Sequence, residues 1–204
     1  MLKTVMKMKI YLVRHGITDW NVEGRFQGRE DIALNGLGRD QAEECREALE
    51  NIEFDRAFSS PLKRSIETAE IVLRGKNLPI EIIEDLIERD YGVLSGTKPV
   101  GNDLFVPDET AEGIEPLENV IDRMYRAVEL CAGKSKGDIL IASHGGAINA
   151  LIYKLSGGKI GSGKTRLKNA CICILENDGA SFRITAYNIS PSEYKAGTFQ
   201  TYQD

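Results

Sequence analysis

Short apolar runs of strand length alternate along this chain with longer stretches whose apolar residues recur at helical spacing, and this alternation limits its fold more than any other feature. "KIYLV" (Lys9 to Val13), "DRAFSS", "IEII" (Ile80 to Ile83) and "DILIAS" (Asp138 to Ser143) read as strands, the first and last continuous enough to be buried on both faces. Leu37, Ala42, Cys45, Leu49 and Ile52 fall at near-helical spacing behind Asn35 as a cap. "SPLKRSIETAEIVLRG" predicts a second helix with Ser60 as N-cap, Pro61 at the first helical position and Gly75 past the end. Leu117, Val120, Ile121, Met124, Val128 and Cys131 mark a strongly amphipathic helix, and Ile148, Leu151, Ile152 and Leu155 the face of another. "NACICILE" and "SFRITAYNI" read as a hairpin turning at Asn177, Asp178 and Gly179. The order β-α-β-α-β-α-β-α-β-β predicts an α/β fold of three αβα layers, with a mostly parallel sheet and an antiparallel edge.

A chain of 204 residues fits one domain, 1–204, burying roughly 70% of its unfolded surface. The stretch from Thr97 to Glu115 has no sustained period and reads as a loop or lid, extending over about 97–119. A net charge of −5 argues against general binding to nucleic acid or an acidic membrane, so any phosphate must meet a local cluster of Arg and His. Cys45, Cys131, Cys171 and Cys173 form no C-x-x-C pair and have no nearby histidine to complete a metal set, which predicts inert thiols in a reducing compartment. The apolar run "IYLV" is too short for a signal peptide before Arg14 and His15 interrupt it, so the expected location is cytoplasmic. The sequence leaves the oligomeric state open.

"GGKIGSGKT" matches the phosphate-loop pattern G-x-x-x-x-G-K-[ST] through Gly158, Gly163, Lys164 and Thr165. Such a loop needs a strand before it and a helix after it, so that backbone N–H groups converge on the anion. Here a helix precedes and a strand follows. The stretch therefore reads as a glycine-rich connection rather than a nucleotide site.

The chain has only two histidines, each ending a strand and preceding glycine, in "VRHG" and "SHGG". Ligands of open α/β sheets bind at the carboxyl ends of strands, so His15 and His144 are placed to share one crevice. Arg14 adjoins the first, and Arg64 opens the helix after "FSSP", again at a strand's carboxyl end. The cluster suits a tetrahedral anion held by charge-assisted hydrogen bonds.

"LVRHGITDWN", "GRFQG", "LNGLGRDQA", "SSPLKRSIETAE", "ERDYGVLSG" and "ASHGGAI" together resemble the histidine phosphatase superfamily, in its phosphoglycerate-mutase-like branch, from about Lys9 to about Asn169. The resemblance implies that His15 is the nucleophile and becomes a phosphohistidine. It implies that Arg14, Arg64 and protonated His144 bind the transferring phosphoryl group and that Glu88 is the proton donor. Asn21, Gln27, Gly28, Arg89, Tyr91, Gly145 and Gly146 match positions lining the substrate pocket. Ile17 stands where many relatives have glutamate.

Relatives of this kind either return the phosphoryl group to a phosphoglycerate or give it to water. Between Thr97 and Asp122 one base, Lys98, faces Asp103, Asp108, Glu109, Glu112, Glu115, Glu118 and Asp122, a charge balance that disfavours a second anionic group. Gly146 also departs from the asparagine that mutases tend to carry there. Both features favour a metal-independent phosphomonoester hydrolase acting on a small phosphorylated metabolite and needing no cofactor. Leu104, Phe105 and Val106 of the lid are expected to meet an uncharged leaving group. The alternatives are a phosphoglycerate mutase, for which 2,3-bisphosphoglycerate would be the cofactor, and an idle phosphate-binding protein on the same fold.

Overall fold

The computed structural model describes residues 7–99 and 106–203. Among them, six strands form one sheet in the order β3-β2-β4-β1-β5-β6. These are β1 (Met8–Arg14), β2 (Arg56–Ser59), β3 (Ile80–Ile82), β4 (Ile139–Ser143), β5 (Ile172–Asn177) and β6 (Phe182–Ile189). The first four in space are parallel, whereas β5 runs antiparallel to β1, and β6 to β5. The predicted mostly parallel sheet with an antiparallel edge is what forms.

The pleat sends alternate residues to opposite faces, and each face has its own helices. Ile10 and Leu12 of β1 pack with Ile139 and Ile141 of β4 under α4 (Leu117–Gly133) and α5 (Gly145–Leu155). Tyr11 and Val13 pack with Leu140 under Cys45 and Leu49, at the end of α2 (Gly36–Ala48), and Val72 of α3 (Lys63–Val72). The third layer gains a short α6 (Pro191–Ala196), and a single turn, α1 (Asp19–Val22), follows the first histidine. No helix among the described residues is long and apolar enough to cross a membrane.

Asn35 caps α2 as expected, its side chain accepting from the Gly38 N–H. The Ser60 cap does not form: α3 begins at Lys63 behind Leu62, with no side-chain cap. Ser60 Oγ lies 2.6 Å from His144 Nε2 instead, so the site takes the hydroxyl that the helix would have used. The glycine-rich connection between α5 and β5 lies flat on α5. Gly161 (φ +100°) comes so close that a Cβ there would meet the Asn149 carbonyl oxygen at 2.4 Å.

Candidate active site

Adjacent parallel strands fix the two histidines. Arg14 is in register with Ser143, and the next residues are His15 and His144. The His15 N–H donates to the Ser143 carbonyl at 3.0 Å, and the rings stand with centroids 5.2 Å apart. Both residues are buried.

His15 Nδ1 lies 2.7 Å from the Gly16 carbonyl oxygen. A carbonyl only accepts, so Nδ1 carries the hydrogen and Nε2 keeps its lone pair. Burial, reinforced by the Arg64 and Arg14 charges, pushes the His15 pKa well below its ordinary value. The loop is held by a close contact between glycines, since a Cβ on Gly16 would meet the Gly38 carbonyl oxygen at 2.2 Å. Ile17, the departure from the family pattern, uses only its backbone here: its N–H donates to Gln41 Oε1 at 2.9 Å and its carbonyl accepts from Asn35.

The two guanidiniums are pinned by backbone carbonyls. Arg64 is fully buried and donates to Glu30 O at 2.6 Å and Gly28 O at 2.9 Å; Arg14 donates to Leu167 O. The Nε of each is buried without a partner, as is His144 Nδ1. The two arginine donors are oriented and buried before any anion arrives. Burial brings the Arg64 pKa down to about 10, where it still carries its charge at neutral pH. For His144, burial and then Arg64, His15 and Arg14 hold the pKa well below its usual range. Burial and the two fixed positive charges beside it thus oppose the protonated His144 that the resemblance implied.

Glu88 is fastened at the start of α5. Its carboxylate accepts from the N–H groups of Arg89 (2.8 Å), Ala147 (2.8 Å) and Gly146 (3.0 Å). A Cβ at position 146 would lie 2.7 Å from Glu88 Oε1 and 2.8 Å from the Tyr91 hydroxyl, so glycine there lets both side chains reach the pocket.

These groups surround a cavity of about 310 Å³. Arg14, His15, Arg64 and Glu88 line it, with Asn21, Gln27, Gly28, Tyr91, Gly145 and Gly146 as the sequence predicted. His144 packs behind, against the His15 ring. Arg89, like His144, is not in its wall. It lines an adjoining cavity of about 280 Å³, where its guanidinium is forked onto Glu109. The acidic lid is also less repulsive than its composition suggests, because Glu109 pairs with Arg89, Glu115 with Arg123 and Arg29, and Asp122 with Lys154. Of the apolar lid residues, Val106 lines the second cavity, while Leu104 and Phe105 lie outside the described residues.

Sequence reasoning missed Arg25, Phe26 and Asn149, and it missed the segment from Thr165 to Asn169, all of which line the main cavity. The segment's position follows from β5 running antiparallel to β1, so that the approach to β5 lies at the carboxyl end of β1. The hairpin signal held that information.

Residues 10–190 match the family model of the histidine phosphatase superfamily (branch 1). An uncharacterized phosphatase, PhoE, of Bacillus subtilis is 38% identical over 89% of this chain and 94% of its own. A phosphoglycerate mutase from Bacillus anthracis superposes with a TM-score of 0.80 at 25% identity, covering 96% of this chain and 98% of the other. A mutant phosphoserine phosphatase from Entamoeba histolytica in complex with phosphoserine does so at 0.76 and 25% identity, covering 89% and 96%. With the strand-end histidines, the paired arginines and these likenesses in agreement, the chain belongs to the histidine phosphatase superfamily, branch 1.

Proposed function

We propose that the protein is a metal-independent phosphomonoester hydrolase that works through a phosphohistidine at His15. The observation that carries this reading is the His15 tautomer: Nδ1 donates to Gly16 O, and a free Nε2 lone pair is left beside two arginines whose Nε groups are buried. In the first step Nε2 attacks phosphorus in line, an N–P bond forms and the P–O bond to the alcohol breaks. Glu88 is the group that gives a proton to the departing oxygen. In the second step Glu88 takes a proton from water as that water attacks phosphorus, the N–P bond breaks, and phosphate leaves with neutral His15 restored.

Arg14 and Arg64 supply the charge that a metal would otherwise provide to the equatorial oxygens. Binding the dianion also favours a proton on His144, which lies behind His15. A small phosphorylated metabolite fits the main cavity; a structural relative holds phosphoserine, of which this reading carries over the phosphoryl group and not the carboxylate.

The test is phosphate release from p-nitrophenyl phosphate with chelator present, with His15→Ala as control. Chelator-resistant turnover that disappears in the variant is expected, along with an acid-labile phosphoprotein in the wild type. Bisphosphoglycerate-dependent isomerisation without phosphate release would point to the mutase instead. Silence in both assays would leave an idle binding protein.

A further inference from the structure

The second cavity opens beside the first and shares Tyr91, Gly146 and Asn149 with it, so a leaving group departing from the phosphoryl site has this space before it. Its walls are mixed: Val106, Pro107, Leu117, Tyr153 and Tyr91 give apolar surface, with Asn149 and Ser162 beside the charged side chains. Its buried cation is Arg89, whose side chain is only 6% exposed. That guanidinium is engaged on three sides. Nε donates to Glu115 O at 2.8 Å, Nη1 to Glu109 Oε1 at 3.0 Å, and Nη2 to Glu109 Oε2. The planar edge that would fork onto a substrate carboxylate already holds one. Lys164, the other cation lining the cavity, is exposed and turns its ammonium onto Gly158 O.

We propose that Glu109 is a specificity-determining residue: by occupying Arg89 it makes the second cavity a subsite for uncharged, partly apolar leaving groups and turns away those bearing a carboxylate. The inference rests on the hydrolase reading and adds a substrate class to it. Within the second cavity a carboxylate must displace Glu109 or go without a buried cation, since Arg25, Arg166 and Lys168 line the main cavity and not this one, whereas a neutral alcohol needs neither. Glu109 itself is half exposed, so its removal frees Arg89 without opening the core.

The experiment compares kcat/KM for 3-phosphoglycerate and for phenyl phosphate in the full chain, in Glu109→Gln, in Glu109→Ala, and in Glu109→Ala combined with Arg89→Met. The wild type should favour phenyl phosphate. Both single variants should raise the 3-phosphoglycerate to phenyl phosphate ratio about tenfold or more, the scale of one charge-assisted hydrogen bond, and the double variant should lose that gain. A wild type that prefers 3-phosphoglycerate, or a ratio that moves less than about twofold in both single variants, overturns the proposal. Calorimetric binding of 3-phosphoglycerate in a His15→Ala background gives a separate readout. Tightening on Glu109→Ala there supports the proposal even if no ester is hydrolysed, and unchanged affinity counts against it even if the hydrolase reading holds.

Discussion

His15 and His144 stand at the ends of neighbouring parallel strands with ring centroids 5.2 Å apart, and both are held neutral by burial and by the arginines beside them. Their pKa values in the folded chain therefore lie below the unfolded value of about 6.5. Above that pH neither state binds a proton, and the folded state keeps its full stability. As pH falls below about 6.5 the unfolded chain takes up protons that the folded chain refuses, so stability drops by up to about 1.4 kcal/mol per pH unit for each histidine. Urea unfolding at pH 7.5, 6.5 and 5.5, in buffer free of phosphate, should show this loss. His144→Asn should flatten the slope by about one proton, and an unchanged slope would contradict the neutral assignment.

Much of this arrangement is legible in the sequence because it is one-dimensional. A buried run ending in His-Gly places its histidine at a strand's carboxyl edge, and two such runs in a parallel sheet place both at the same edge. The α2 cap at Asn35 was readable for the same reason, being a contact between residues three apart. What failed depended on partners remote in sequence. Ser60 has the composition of a helix cap but lies beside a residue 84 positions away, and Arg89 is claimed by Glu109 across a loop. The lid's acids could be counted, but their pairing with Arg29, Arg123 and Lys154 needed the fold.

Gly146 and Gly16 should respond differently to alanine, although both leave no room for a Cβ. At Gly146 the obstructing atoms are the ends of the Glu88 and Tyr91 side chains, which can swing aside. At Gly16 the obstruction is the Gly38 backbone. Gly146→Ala should lower kcat/KM by about 10²-fold, through misplacement of Glu88, with little change in melting temperature. Gly16→Ala should cost about 1–3 kcal/mol of stability. Thermal melts and p-nitrophenyl phosphate kinetics on the two variants separate these outcomes; equal loss of stability in both would refute the distinction.

Arg64→Lys tests whether geometry matters beyond charge. The guanidinium bonds two carbonyls, Glu30 O and Gly28 O, while its Nε stays free for an anion. An ammonium at the end of a flexible stem cannot hold that fork and present a fixed donor at once. The expected result is a fall of about 10²–10³ in kcat, with about 1–3 kcal/mol of stability lost from the stranded carbonyls. Activity within about threefold of wild type would show that charge alone suffices.

Gly161 should prove to be a packing glycine rather than part of a nucleotide loop. At φ +100° it brings the connection against α5, where a Cβ would lie 2.4 Å from Asn149 O and 2.5 Å from Tyr153 N. The same contact sets Thr165, whose carbonyl accepts from Asn149 Nδ2 at 2.8 Å and orients that amide on the wall between the two cavities. Gly161→Ala should therefore destabilise the protein by about 1–3 kcal/mol, from left-handed strain and backbone collision together. It should also change the relative kcat/KM of short and bulky phosphate esters, because Asn149 is released. ATP should not raise the melting temperature of the wild type. A nucleotide-dependent shift that Gly161→Ala or Lys164→Ala removes would restore the phosphate-loop reading.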